Sequence, residues 1–374
     1  MGPKSLSQAM QLTMKALLLF AAALPGLSGL LPAAELEVAA TFPERQVTGV
    51  AISKAGRMFV NFPFWSDQYD GLAVAEVMTD GSLKPYPNQE WNKKDGPTAK
   101  RWVCVQSVYV DAEDMLWVLD PASPKMEGVV PGGAKLAKIS LTNNDVERIY
   151  GFDDTVVPDK GYLNDVRVER KTQHAFITES GTGAIIVLDL KSGKARRLLA
   201  NSPLTRAETE EELVVDGFKL IEPKTGMTPR IHADGIALDE QRGILYFHPL
   251  TGRTLYRVET SALLNADLDD KALSEKVEKV AQTSPCDGMI IDPQGGVYLT
   301  AFEENALQRW DREQGVVTVI KDQRLQWPDS LSWGPEGDLY VTTSQIHRQP
   351  KYHGGESRQK GGYHVYRLRL RQSK

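Results

Sequence analysis

The sequence predicts an all-β chain folded as a six-bladed β-propeller. Three observations predict it. One strand template recurs six times along the chain, and repetition on this scale is the signature of a radial or solenoid array. Each copy holds a tight turn between two alternating apolar runs, the mark of a hairpin. Further alternating runs follow each copy, enough for three or four strands per unit. A two-sheet sandwich is the alternative, but it gives no reason for a polar or acidic residue to open every first strand.

The chain has 374 residues, a length that a closed all-β fold can hold in one domain. It opens on a leader. Lys15 precedes "ALLLFAAALPGLSGLLPAA", and the acidic "ELE" follows. A basic flank, an apolar run and small residues make an export signal, with cleavage expected near Ala33 or Ala34. Residues 1–34 are therefore read as a signal peptide and 35–374 as a single propeller domain. Pro25, Gly26 and Gly29 interrupt the apolar run, which argues against a stable spanning helix. The expectation is a secreted or periplasmic protein with no stable membrane anchor after cleavage. The segment "LEVAATF", Leu36 to Phe42, is expected to close the ring as the outer strand of the last blade, beside "YHVYRLRL".

The six copies follow in order. They are "TGVAISKAGRMFVNF" from Thr48, "QSVYVDAEDMLWVLD" from Gln106 and "NDVRVERKTQHAFITES" from Asn164. Then come "DGIALDEQRGILYFHPL" from Asp234, "DGMIIDPQGGVYLTAF" from Asp287 and "DSLSWGPEGDLYVTTS" from Asp329. Their starts lie 58, 58, 70, 53 and 42 residues apart, so a shared core unit carries variable loops. The largest insertion, Asn201 to Ile231, contains "RAETEEELVVDGFKL". Its first part reads as a short helix, and it leads into the fourth copy, either as a lid over a pocket or as an acidic solvated loop.

In a propeller the innermost strand of each blade runs along the central channel and its first residue sits near one mouth. Thr48, Gln106, Asn164, Asp234, Asp287 and Asp329 are therefore expected to form an oxygen-rich ring. Carboxylates brought together repel and resist ionisation unless a cation is present. Asn164, Asp234, Asp287 and Asp329 suit a hard metal, calcium above all. An organic ammonium is the other candidate, because Tyr162, His232 and Trp327, two residues upstream of ring positions, would add aromatic faces. "FPFW", Phe62 to Trp65, would add more. A polar channel filled by ordered water is the plain alternative.

The remaining features narrow the field. Net charge is −5 with both signs mixed, which argues against nucleic acid as the main partner because a basic stripe is missing. The stretch from His347 to Lys374 is locally basic, and within it "YHVYRLRLRQ" alternates basic with apolar residues, as an exposed strand face would. "SGTGAIIV", Ser180 to Val187, joins two strands and reads as a hairpin turn, so no nucleotide cofactor is expected. No GxSxG, HExxH or paired-cysteine motif is present. Cys104 and Cys286 fall beside the second and fifth ring positions, on opposite sides of the channel, so no disulfide is expected between them.

Several stretches resemble the major royal jelly protein and yellow family. They are "GSLKPYPNQEWN" (Gly81 to Asn92), "VQSVYVDAEDMLWVLDPA" (Val105 to Ala122), "GAKLAKISL", "YLNDVRVE", "HAFITESGTGAIIVLDL", "HADGIALD" and "LYFHPLTGRTLYRV". The resemblance spans nearly all of the mature chain, and the few cysteines suit a bacterial branch. It implies a secreted six-bladed propeller that binds a small ligand, biogenic amines among the family's ligands. "CDGMIIDPQGGVYLTAF" more distantly resembles the gluconolactonase and senescence-marker-protein family. That resemblance implies a calcium-dependent lactone hydrolase, with Asp287 as both calcium ligand and catalytic residue. Asp234 stands where that family has Asn, and Thr48 stands near the place of its first-blade Glu, so one carboxylate of that pattern is missing.

Overall fold

The computed structural model describes residues 35–370, apart from 201, 209–211 and 224; the expected signal peptide, 1–34, lies outside the described residues. Among the described residues the strands form six four-stranded antiparallel sheets and one two-stranded hairpin. Blade 1 comprises Gly49–Ile52, Met58–Asn61, Val74–Val77 and Leu83–Pro85. Blade 2 comprises Ser107–Val110, Met115–Asp120, Lys135–Ser140 and Val146–Gly151. Blade 3 comprises Leu163–Glu169, His174–Glu179, Ala184–Asp189 and Ala195–Leu198. Blade 4 comprises Ala233–Asp239, Ile244–Pro249, Thr254–Glu259 and Glu278–Gln282. Blade 5 comprises Cys286–Ile291, Val297–Ala301, Ala306–Asp311 and Gly315–Lys321. Each expected template is the inner hairpin of one blade, and the sandwich alternative is excluded.

Blade 6 closes the ring. Its inner strands are Pro328–Trp333, Leu339–Thr343 and Tyr363–Arg369, and Glu35–Phe42 pairs antiparallel outside them. The register runs from Glu35 opposite Arg369 to Phe42 opposite Tyr363. Both ends of the described chain thus share one sheet, and no first or last blade is left with an open face.

The hydrophobic core is divided between the blades. Phe176 and Ile177 are neighbours in the second strand of blade 3, and both are fully buried. Their side chains point to opposite faces, as strand geometry dictates. Ile177 packs with Trp117, Leu119 and Leu136 of blade 2, whereas Phe176 packs with Ile236, Leu245 and Phe247 of blade 4. The same division recurs between the other neighbouring blades. A blade buried on both faces needs apolar residues at every position, which is why "HAFITE" and "VYLTA" read as continuous runs.

Neighbouring inner strands approach so closely that side chains are excluded at two points. A Cβ on Gly235 would meet the Asp287 carbonyl oxygen at 2.6 Å, and one on Gly288 would meet the Asp329 carbonyl oxygen at 2.1 Å. The glycine of each "DG" pair is therefore required by the next blade rather than by a turn.

After residues 209–211, on which the expected helix partly falls and which lie outside the described residues, the insertion before blade 4 forms the two-stranded hairpin Val214–Val215 with Phe218–Lys219. Leu213, Val215 and Leu220 are buried against Leu250, Phe302 and Trp327, and this apolar contact fixes the hairpin to blades 4 to 6. Asp216 at its tip accepts hydrogen bonds from Asn305 (2.8 Å) and Arg348 (3.2 Å).

Two outcomes follow from this packing. Leu36 is 6% exposed within the closing sheet and Val38 is 55% exposed. Leu36→Ala should therefore lower unfolding free energy by about 2–4 kcal/mol in chemical denaturation. Val38→Ala should stay within about 0.5 kcal/mol of the parent. Cys104 and Cys286 are both free and buried, and burial, with Asp120 nearby, pushes the Cys104 thiol up to about 12. Thiol titration should find two reactive groups in unfolded, unreduced protein and none reacting rapidly in the native state.

Candidate functional site

The ring positions differ in backbone geometry: the four bulged positions all reach one cavity, which Gln106 of an unbulged blade also lines. In blades 1 and 2 the inner hairpin pairs without interruption. In blades 3 to 6 the register slips between Leu163 and Val166, Ala233 and Gly235, Cys286 and Met289, and Pro328 and Leu331. Each slip is a β-bulge holding one extra residue, which re-aims a side chain. The bulges contain Asn164, Asp234, Asp287 and Asp329.

Three of the four bulges oppose a threonine. Thr178 Oγ1 accepts from the Asp165 amide (3.2 Å) and donates to the Asp234 carbonyl (2.6 Å). Thr300 Oγ1 accepts from the amides of Asp287 (3.2 Å) and Gly288 (2.9 Å). Thr342 Oγ1 accepts from the Ser330 amide (2.9 Å) and donates to the Thr48 carbonyl (2.6 Å). One hydroxyl thus satisfies bulge amides that the ladder leaves unpaired, and two of the three hydroxyls also tie adjacent blades together.

Asn164, Asp234, Asp287 and Asp329 line a cavity of about 120 Å3 at this mouth. The three aspartates are only 2–5% exposed. Asn164 Nδ2 donates to Asp234 Oδ2 (2.6 Å) and to Ser180 Oγ (3.1 Å). Trp327 Nε1 donates to Asp287 Oδ2 (2.7 Å). Asp329 Oδ2 is buried without any hydrogen-bond partner.

Electrostatics follow from that crowding. Burial, followed by the charges of Asp287 and Asp329, holds Asp234 well above the ordinary carboxyl range. Burial raises Asp287 to about 7, against the Trp327 indole and a hydrogen bond shared with Asp234. Burial and Asp287 likewise hold Asp329 well above its ordinary value. The three carboxyls therefore titrate as one coupled cluster, shifted as a group toward the protonated form.

The walls are aromatic and apolar. Gln106 lines the cavity and accepts from the Tyr162 hydroxyl (2.8 Å), which accepts from Trp65 Nε1 (2.8 Å). Tyr162 is placed by its own amide, which donates to the buried Glu179 carboxylate (2.8 Å). Leu213 and Leu220 of the inserted hairpin, Ile231, Leu250, Ile346 and Tyr352 complete the apolar wall.

Three expected residues are placed otherwise. Thr48 does not line the cavity: in its unbulged blade the hydroxyl accepts from Asn61 Nδ2 (2.9 Å) and points toward the Gln106 carbonyl (3.4 Å). His232 does not line it either, because its Nδ1 accepts from the Ala207 amide (2.9 Å) and so serves the insertion. Trp327 lines the cavity, but its faces stack on Phe302 (centroids 4.2 Å apart) and His347 (6.0 Å). Its indole N–H, rather than its face, is what it offers the site. Lining residues that the template did not identify include Lys125, Met126, Ser180, Gln349, Lys351 and Tyr352. All lie in loops that follow the second strand of a blade, and loop length was the signal for two of these loops.

The donor types at the floor suit calcium. Among the described residues, however, no three His, Cys, Asp or Glu side chains are grouped around a common metal position. The carboxylates as arranged do not form a ready metal centre.

A family model for major royal jelly proteins matches residues 103–361. Two honeybee (Apis mellifera) proteins are similar in sequence. Major royal jelly protein 5 is 21% identical over 304 residues, covering 72% of this chain and 48% of its own length. Major royal jelly protein 7 is 22% identical over 303 residues, covering 72% and 64%. The chain thus spans about half to two thirds of these relatives. Among solved structures, a gluconolactonase from Xanthomonas campestris superposes with a TM-score of 0.54 at 11% identity, over 91% of each chain. Regucalcin from Agrobacterium tumefaciens, a calcium-binding protein, superposes with a TM-score of 0.53 at 14% identity, over 89% of this chain and 94% of its own. At such identities the likeness establishes the shared fold alone.

The protonated cluster sets a pH dependence. These carboxyls bind protons more tightly folded than unfolded, so their contribution is complete in acid and is lost as pH rises. For Asp287 the window runs from the ordinary 3.8 to about 7. Glu179 and Asp216, both held low, act in the opposite sense at lower pH: burial pushes each up, but Arg197 outweighs it at Glu179 and Asn305 with His347 at Asp216. Without added ligand or divalent cations, stability should therefore fall between about pH 5 and pH 7.5. Asp287→Asn should flatten that slope and raise stability at pH 8 by about 1–3 kcal/mol, measured by urea denaturation across pH.

Proposed function

The chain belongs to the major royal jelly protein family, and on that premise we propose that it is an exported propeller that binds a small cationic ligand at the acidic mouth of its channel. Export rests on the leader at residues 1–34. The observation that carries the ligand is Asp329 Oδ2, buried and without a partner beside two further carboxyls in a cavity with apolar walls. An unsatisfied buried acceptor costs about 1–3 kcal/mol, and an ammonium group would relieve that cost and the like-charge repulsion together. Trp65, Tyr162 and Tyr352 offer aromatic surface for the body of such a ligand.

A calcium-dependent lactone hydrolase is the second reading. It is supported by the fold shared with a gluconolactonase and with regucalcin. It is also supported by Asp287, whose carboxyl titrates near 7, a value suited to a general base. The carboxylates are not grouped for a metal here, so no step through calcium is derived and the ligand-binding reading is preferred.

Calorimetry with a panel of small amines, with calcium, and with aldonolactones in the presence and absence of chelator separates the two. The expected outcome is binding of at least one amine, with Asp329→Asn weakening it about tenfold or more. Chelator-sensitive lactone turnover would reverse the preference, and binding of neither class would leave the acidic floor as a structural feature.

A further inference from the structure

The charges lining the cavity are sorted by depth. The negative groups, Asp234, Asp287 and Asp329, start the inner strands and are buried. The positive groups are Lys125, from the loop after the second strand of blade 2, and Lys351, from the loop after the second strand of blade 6. Both loops stand at the mouth. The Lys125 side chain is 31% exposed and, among the described residues, its ion pair is with Asp67, itself 90% exposed, a partner that water screens and a ligand can replace. Lys351 Nζ lies 4.8 Å over the Tyr352 ring; burial lowers its pKa, the nearby Glu222 carboxylate opposes that shift, and no ion pair among the described residues holds it. A site built for a simple amine would gain nothing from two cations at its entrance, since like charges oppose entry.

We propose that the site takes a compact zwitterion with an apolar body, its ammonium group on the aspartate floor and its carboxylate toward Lys125 and Lys351. This rests on the cationic-ligand reading above and assigns the other end of that ligand. The acidic cluster does not stand alone as a site, because the buried, unpartnered Asp329 Oδ2 lines the same cavity. Met126, Leu220, Ile231 and Leu250 lie among the lining residues and provide the apolar middle. A zwitterion also brings no net charge to a site whose floor and rim carry opposite signs, which favours it over either half alone.

Matched probes test this by calorimetry on the full mature chain at pH 7.5 and low salt. L-phenylalanine, phenethylamine and 3-phenylpropionate share a body and differ in which charged ends they carry. The expected order is L-phenylalanine tightest, phenethylamine about threefold to fivefold weaker, and 3-phenylpropionate weakest. Replacing both rim cations, Lys125→Gln with Lys351→Gln, should bring L-phenylalanine down to the affinity of phenethylamine. Raising salt to 0.5 M should narrow the gap between the two probes, since the rim is solvent-facing. If phenethylamine binds as tightly as L-phenylalanine, or the double variant keeps the gap, the zwitterion assignment falls and the cationic-ligand reading stands. If 3-phenylpropionate binds tightest, or none of the three binds, both readings fall.

Discussion

The site depends on a mismatch of one residue between two strands. In blades 3, 5 and 6 two inner-strand residues face a single threonine, Thr178, Thr300 or Thr342. The threonine hydroxyl takes up the amides that the slip leaves unpaired. This is what makes the slip affordable, because an unpaired buried amide would cost about as much as a lost hydrogen bond. The side chain displaced by the slip then turns toward the axis. Asp287 and Asp329 therefore sit together because the sheets put them there, against their own repulsion.

The same fold shows how it treats a buried acid that has a structural task. Asp120 accepts from the amides of Val103, Cys104 and Ala122 and from Lys135 Nζ. Glu179 accepts from the amides of Tyr162, Gly181 and Thr182 and from Arg197. Both stand at the end of a second strand and organise a loop at the mouth. The floor carboxyls have no such retinue of amides: besides each other, Asp287 has one indole, Asp234 one side-chain amide, and Asp329 a long contact from Ser330 on one oxygen and nothing on the other. Acids left with so few donors in a buried place are costly to ionise, which is why their pKa values rise.

Topology explains why the walls come from so many places. In an antiparallel blade the start of the first strand and the end of the second lie at the same mouth. Every loop between second and third strands therefore opens there, which brings Trp65, Lys125, Ser180, Leu250 and Lys351 to one cavity. The inserted hairpin adds Leu213 and Leu220 from above blades 4 to 6, held by its own apolar face and by Asp216. Rigid inner strands set the floor, and variable loops set what the floor can accept.

The sequence alone determined the blade count, the inner hairpin of each blade, the closing strand and the residues of the floor. These rest on local alternation and on repetition, and both are written along the chain. The threonines opposite the bulges were legible too, at matching places in "FITES", "YLTAF" and "YVTTS", although template reading gave them no role. Three matters were decided only by tertiary structure. Thr48 and Asp287 occupy equivalent template positions, but the Thr48 hydroxyl is held by Asn61 and turned toward the Gln106 carbonyl while Asp287 sits in a bulge, so only one of them reaches the cavity. Trp327 and His232 share a template offset, yet what covers an aromatic ring depends on residues far away in sequence: Phe302 and His347 for one, the Ala207 amide for the other. The sign of the mouth was invisible for the same reason, because Lys125 and Lys351 lie 226 residues apart and meet one cavity only when the ring is closed.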